Sequence, residues 1–253
     1  MGKVISVSNQ KGGVGKTTTT VNIAAFLAEM GKRVLIIDID PQGNAGYGIG
    51  VNAEEIDTTI YEVLIGEIEI DDAIFKSEIN GLEIIPSNIH LSGAQIDLLD
   101  KEGKEFILRD KLKPIRDFYD FIFIDCPPSL GVLTLNSLVA ANSVLIPLQT
   151  EYYALEGLGQ LLRIVAMVQE GLNTGLAIEG VVLTMYDSRT NLAQQVVNDV
   201  KDFFKDKVFK AVIPRNVRLS EAPSFGKPIG IYDKSSTGSQ AYEMLATEVL
   251  NND

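Results

Sequence analysis

The chain has 253 residues, 45% hydrophobic and 22% charged, an ordinary composition for a folded globular protein. A single cysteine, Cys126, excludes an internal disulfide and a zinc site built mainly of cysteines, and a lone histidine, His90, leaves no histidine cluster for a metal. The formal net charge of −12 argues, taken whole, against nucleic-acid binding, yet residues 181–240 carry nine Lys/Arg against six Asp/Glu, so a local basic face survives in an acidic chain.

No apolar run approaches the roughly 20 residues of a membrane-spanning helix. The opening MGKVISVSNQKGG leads straight into a glycine loop and does not read as a signal peptide, so the cytoplasm is the expected compartment. Along the chain, KVISVS (3–8) reads as a buried strand, and Thr17–Met30 as a helix ended by Gly31. RVLIIDID (33–40) is a second strand with acids at its carboxyl end, and Asp38 and Asp40 are expected on one strand face. Weak helices follow near 58–65 and 71–75, then a strand LEIIP (82–86) and helical stretches at 89–99 and 104–117; His90 reads as a surface or helix-start residue. FIFID (121–125) is a strand and CPPSLG (126–131) a loop, with Cys126 a small buried residue of that loop. A helix near 132–140, the strand SVLIPL (143–148) and a long helix near 154–170 come next. EGVVLTM (179–185) and KAVIP (210–214) are strands flanking a helix at 190–206; 215–235 is a loop rich in Pro, Gly and Ser, and 237–250 a final helix.

Strand and helix alternate throughout, and VLII and FIFI lack polar alternation, so these strands are buried on both faces. That pattern predicts an α/β fold, a mostly parallel sheet flanked by helices on both faces. No linker divides residues 1–253, which are expected to form one domain.

Gly12, Gly13 and Gly15 fall between the first strand and the first helix. Glycines there let backbone N–H groups approach phosphate oxygens, and the helix start from Gly15 to Thr18 adds its dipole. Gly12–Thr18, with Val14 inside the turn, therefore form the expected phosphate cradle. Lys16 is expected at the β- and γ-phosphates, and the Thr17 hydroxyl on Mg²⁺. Asp125, ending a wholly apolar strand, fits the acid that holds Mg²⁺ through water in phosphate-loop ATPases, although a lone Asp there also reads as a cap or turn residue. The usual G-x-x-x-x-G-K-[ST] is not met, because Gln10 stands where its first glycine belongs; Lys11 is an extra lysine. From the residues alone Lys11 reads equally well as a solvated surface lysine.

KGGVGKT is the deviant Walker A form of the P-loop NTPase fold and resembles the ParA/MinD group of ATPases. NQKGGVGKTTT (9–19), LIIDIDPQGNA (35–45) and IDCPPSLG (124–131) carry the wider resemblance; TEYYALEGLGQL (150–161), TMYDSRTNLAQQV (184–196) and PRNVRLSEAPSFGKPI (214–229) narrow it to chromosomal ParA proteins of the Soj type. The resemblance implies that Lys11 reaches the nucleotide of a partner subunit, that Asp40 positions the attacking water, and that Pro214 and Asn216 pack on adenine. It marks Glu151 as a candidate contact across the dimer. It also implies ATP/ADP and Mg²⁺ as cofactors, and a cycle: ATP drives a homodimer, the dimer binds double-stranded DNA without sequence preference, and a ParB-type partner stimulates hydrolysis. That places the protein on the nucleoid, away from membranes. Lys207, Lys210, Arg215, Arg218 and Lys227 lie in the basic segment, with Arg189 after a strand; they are also what an ordinary solvated surface offers. Arg189 and Arg218 match the family's DNA-contacting positions.

A MinD-like division-site regulator is the alternative. It would carry a basic amphipathic helix for a membrane surface, whereas SQAYEMLATEVLNND holds no Lys or Arg. A nitrogenase-type iron protein needs two cysteines per subunit for a shared cluster. A biosynthetic synthetase on the same fold needs a substrate site that the sequence does not reveal.

Overall fold

Three strands set the frame: β1 (Lys3–Val7), β2 (Val34–Asp38) and β5 (Phe121–Asp125), the last two buried at every position. Their apolar residues face helices on both sides, which an internal parallel strand requires. The computed structural model describes residues 2–151 and 154–252, so Tyr152 and Tyr153 of the TEYYALEGLGQL stretch lie outside it. The other strands are β3 (Phe75–Lys76), β4 (Leu82–Ile85), β6 (Ser143–Gln149), β7 (Ala177–Tyr186) and β8 (Val208–Pro214). They form one sheet in the order β3-β4-β2-β5-β1-β6-β7-β8, parallel except for the antiparallel pair β3–β4.

Helices cover both faces. On one face lie α1 (Lys16–Glu29), α2 (Asn44–Gly48), α10 (Ile229–Tyr232) and α11 (Thr237–Leu250), with a core that includes Ile23, Leu27, Phe123 and Tyr242. On the other lie α3 (Ile60–Ile65), α4 (Leu91–Asp97), α5 (Ile107–Leu112), α6 (Val132–Ala140), α7 (Ala154–Gly171) and α8 (Asn191–Phe204), over Ile37, Ile122, Leu161 and Val181. The expected α/β architecture is the one observed. From β1 the chain runs to β2 on one side and later to β6, β7 and β8 on the other, so the carboxyl end of β1 is a topological switch point. Register matters as much: Val7 pairs with Asp125, and Asp38 pairs with Asp125. The strand ends therefore deliver the glycine loop, Asp38 and Asp125 at one level.

Four local expectations change. The 104–117 helix is reduced to α5 between 3₁₀ turns at Lys104–Phe106 and Arg116–Phe118; Pro114 ends α5 because it cannot continue a helical ladder. The helix expected near 71–75 is a 3₁₀ turn, Ile70–Ala73, followed by β3. The 215–235 loop contains α9 (Val217–Glu221), a 3₁₀ turn Ala222–Phe225 and α10; Asn216 Oδ1 caps α9 by accepting from Arg218 N at 2.8 Å. Finally, β2 ends at Asp38, so Asp40 lies past the strand rather than on a shared strand face. There Asp38 accepts from Asp40 N (2.9 Å) and Ala45 N (3.0 Å), which seats α2, a glycine-rich helix without apolar periodicity.

Candidate functional site

The loop between β1 and α1 is held open by its glycines and pinned at its sides. Gly13 and Gly15 have φ of 73° and 88°, left-handed values at which a side chain would strain the backbone. Gly15 precedes α1 with no side-chain cap, so the first N–H groups of the helix face the loop. Asn9 Nδ2 donates to Pro147 O at 2.7 Å, Asn9 Oδ1 accepts from Lys11 N at 3.0 Å, and Thr184 Oγ1 donates to Val14 O at 2.9 Å. Thus the ends of β6 and β7 brace the loop from behind.

The two lysines of the loop occupy different surroundings. Lys16 is buried and its amine donates to Lys11 O at 3.3 Å. Burial lowers its pKa, opposed by Asp125, then Cys126 and Asp40. The Lys11 side chain is 31% exposed and points outward, its amine donating to Glu151 Oε2 at 3.3 Å. Glu151 Oε1 also accepts from Gln149 Nε2 at 2.6 Å and stands 3.8 Å from the Arg215 guanidinium.

Asp125 is completely buried, and both its oxygens are taken: Thr17 Oγ1 donates to Oδ2 at 2.6 Å and Thr20 Oγ1 to Oδ1 at 2.9 Å. Burial pushes its carboxyl up to about 6 against those two hydrogen bonds and Lys16. Asp38, also buried, is raised by burial and by Asp125. Asp40 is buried at the edge of this group and its Oδ1 accepts from Gln42 N at 3.0 Å. Cys126 is buried on Ser137 (3.0 Å) and Ser6 (3.4 Å), a packing position as expected.

A hydroxyl and a carboxylate side by side are hard oxygen donors, the set a small divalent cation takes. Among the described residues no cluster of three His, Cys, Asp or Glu forms a metal cage, so such a cation would complete its shell with water and phosphate oxygens. Beside the helix start lies a cavity of about 420 Å³ lined by Gly15, Thr18, Met185, Pro214, Asn216 and Tyr242, among others. The expected phosphate loop and the expected base-packing residues therefore border one space. Asn216 has its carboxamide engaged on both sides, capping α9 and donating to Thr237 Oγ1 at 2.9 Å.

The basic segment divides in two. Arg189 and Arg218 follow β7 and β8 at the edge that carries the phosphate loop, whereas Lys207 precedes β8 at the opposite edge. The seven residues of β8 separate those edges by about 20 Å. Arg189 donates to Asp187 from both Nε (2.8 Å) and Nη2 (2.6 Å). Arg218 pairs with Glu221 at 2.9 Å and Asp233 at 3.5 Å. Both arginines are exposed and already paired.

Sequence reasoning missed Thr20, Asn9, Thr184 and Met185. Thr20 had a signal, since Thr17 and Thr20 share a helix face at i, i+3. Met185, at a left-handed φ of 51° on the cavity wall, had none.

A family model described as an AAA domain matches residues 2–178. The chain is 55% identical over 252 residues to the sporulation initiation inhibitor protein Soj of Bacillus subtilis, covering 100% of both chains. It is 53% identical to the chromosome partitioning protein ParA of Myxococcus xanthus, over 100% of this chain and 89% of that one. A solved structure, cobyrinic acid a,c-diamide synthase from Mycobacterium smegmatis with bound ADP and magnesium, superposes with a TM-score of 0.87 at 39% identity, covering 99% of this chain and 95% of that one.

Proposed function

The chain belongs to the ParA/Soj family of chromosome-partitioning ATPases, and from that premise we propose that it is an ATP-driven dimer switch that holds DNA and is reset by a ParB-type partner. The observation that carries this reading is the separation of the two loop lysines. Lys16 lies inside the cradle, while Lys11 faces out on a carboxylate with its amine accessible to a second subunit. ATP enters with its phosphates on Gly12–Thr18 and its base in the cavity by Pro214 and Asn216. Lys16 contacts the β- and γ-phosphates. Thr17 and Asp125 would hold Mg²⁺, Asp125 through water, and the cation would supply positive charge against the charge that builds on the phosphates. Asp40 orients the attacking water. Lys11 leaves Glu151 for the γ-phosphate of the facing subunit, stabilising transition-state charge as an arginine finger does. ADP offers Lys11 no such partner, so the dimer ends with hydrolysis.

DNA is held through its phosphates. Exposed ion pairs contribute little, so Arg189 and Arg218 can exchange Asp187 and Glu221 for DNA phosphate. Dimerisation doubles the patch and makes weak contacts sufficient. The resulting location is the nucleoid; among the described residues no helix is long and apolar enough to cross a membrane. The reading is tested by measuring the mass of the protein and its retention on unrelated DNA fragments with ATP, ADP and no nucleotide. Retention confined to an ATP-dependent dimer supports it. Equal retention in all three conditions refutes it.

A further inference from the structure

Residues 17–20 are four threonines in a row at the start of α1. β-Branched side chains are stiff in a helix and weaken it relative to alanine, so such a run needs compensation from what its side chains touch. Thr17 Oγ1 donates to Asp125 Oδ2, Thr18 lines the cavity beside the loop, and Thr19 Oγ1 lies 3.2 Å from Tyr242 OH of α11. Thr20 is completely buried, one turn into α1 on the face that Thr17 shares.

The Thr20 hydroxyl has one proton and two acceptors in reach, Lys16 O at 3.1 Å and Asp125 Oδ1 at 2.9 Å. Lys16 O also takes the ordinary ladder bond of the helix, which Thr20 N supplies. Asp125 is fully buried, where a carboxylate oxygen left without a donor is costly. A hydrogen bond to a charged group is also the stronger of the two. The proton therefore goes to Asp125. Since a carboxylate is a rigid plane, Thr17 on one oxygen and Thr20 on the other fix its rotation as one donor cannot. The neighbouring strand makes such fixing necessary: Asp38 is buried in register with Asp125, and like charges push apart. Asp38 is held by Asp40 N and Ala45 N, and Asp125 by the two threonines, so each carboxylate keeps to its own donors.

We propose that Thr20 is a positioning residue for the cation: by holding Oδ1 it keeps Oδ2 beside the Thr17 hydroxyl, and Mg²⁺ affinity depends on it although Thr20 is not a ligand of the metal. The inference rests on the reading that Thr17 and Asp125 would hold Mg²⁺. Carboxylates at metal sites are oriented by hydrogen-bond partners of this kind, and removing such a partner costs about 10–100-fold in metal affinity.

Two variants separate the hydroxyl from the packing around it. Thr20→Val keeps the branched shape and loses the hydroxyl; Thr20→Ser keeps the hydroxyl and loses the methyl group. Mg²⁺ is titrated against each protein in the presence of a fluorescent ADP analogue, beside binding of the same analogue in EDTA and thermal melting of the nucleotide-free chain. Thr20→Val should raise the Mg²⁺ concentration for half-saturation by about tenfold or more while its affinity for the analogue in EDTA stays that of the wild type. Thr20→Ser should titrate with Mg²⁺ as the wild type does, even if it melts lower. A role in packing alone predicts the reverse order, with Thr20→Ser the more damaged. If melting shows Thr20→Val unfolded, Thr20→Ala supplies the variant without a hydroxyl. Thr17→Ala is the reference for the metal site and should also raise the half-saturation point. A shift in Thr17→Ala with none in Thr20→Val would overturn the role of Thr20 and leave the metal site intact. No shift in either would refute the metal site on which the inference rests. Equal Mg²⁺ shifts in Thr20→Val and Thr20→Ser, or a matching loss of affinity in EDTA, would reduce Thr20 to a packing residue and overturn the proposal.

Discussion

The phosphate cradle and its rim are built from similar residues and behave as different materials. In the cradle, Lys16, Asp125, Thr20 and Val14 are buried, and their partners are fixed side chains and backbone atoms of the same chain. On the rim, Lys11, Glu151, Arg215, Arg189 and Arg218 are partly or largely exposed and form ion pairs with water at hand. A buried hydrogen-bonded group is costly to disturb, whereas an exposed ion pair is cheaply replaced. The cradle is therefore suited to keep one geometry, and the rim to change partners when a nucleotide, a second subunit or DNA arrives.

The largest effect should come from breaking the cradle. Lys16→Ala removes the buried amine proposed to meet the β- and γ-phosphates, and nucleotide affinity should fall by about a hundredfold or more. Equilibrium titration with a fluorescent ATP analogue reads this, and size exclusion should show no ATP-dependent dimer. A variant that still dimerises fully would mean that the cradle does not depend on its inner lysine.

Asp40 stands at the border between the two regions, buried yet past the strand that fixes Asp38. Asp40→Ala should bind ATP as the wild type does and lose turnover by about a hundredfold, the scale of a positioned catalytic group. The result is a trapped dimer, visible as ATP-dependent mass without phosphate release. Normal turnover would reject its assignment to the attacking water.

The rim should yield smaller, salt-dependent losses. Arg189→Glu and Arg218→Glu should each weaken retention on DNA by about tenfold at low salt and flatten its dependence on salt, because phosphate contacts release counterions. ATP-driven dimerisation should not change. Intact retention in both variants would move the DNA face elsewhere, with Lys207 before β8 and the exposed Lys210 on β8 itself the next residues to examine.

The gentlest probe of the cradle is pH. Burial pushes Asp125 up to about 6, above the ordinary carboxylate range it recovers on unfolding. Between roughly pH 4 and 6 the folded chain thus holds a proton that the unfolded chain has released, and stability rises as pH falls through that window. Asp120, held down to about 2 by Arg33, acts the other way only at lower pH. The nucleotide-free chain should therefore melt about 2–5 °C higher at pH 5 than at pH 7.5. Asp125→Asn should reduce that difference and leave the part set by Asp38, which burial raises in the same direction; an unchanged difference would show that Asp125 plays no part in it.

The cradle was the more legible region in sequence. Apolar runs such as VLII and FIFI fixed the buried strands, and glycines before a lysine and threonine announced a phosphate loop, because such geometry has few chemical solutions. The bracing of that loop by Asn9 and Thr184 was not legible, since it joins residues 138 and 170 positions apart from their partners. The rim was less legible still. Arg189 and Arg218 stood out as cations, but their carboxylate partners depend on how α9 and the turn after β7 fold. A segment that read as one basic patch proved to span both edges of the sheet. The short helices α9 and α10 escaped notice because four or five residues do not establish a period.

The central claim is that the outer lysine of the loop serves the nucleotide of a neighbour. Mixing Lys11→Ala subunits with Asp40→Ala subunits tests it directly. In a mixed dimer the Lys11→Ala subunit keeps its own Asp40 and receives an intact Lys11 from its partner, giving one complete site. ATP hydrolysis absent from either variant alone should return on mixing, in proportion to the mixed dimer formed. Mixed dimers without any recovery would contradict the account, and so would a Lys11→Ala protein that hydrolyses ATP normally by itself.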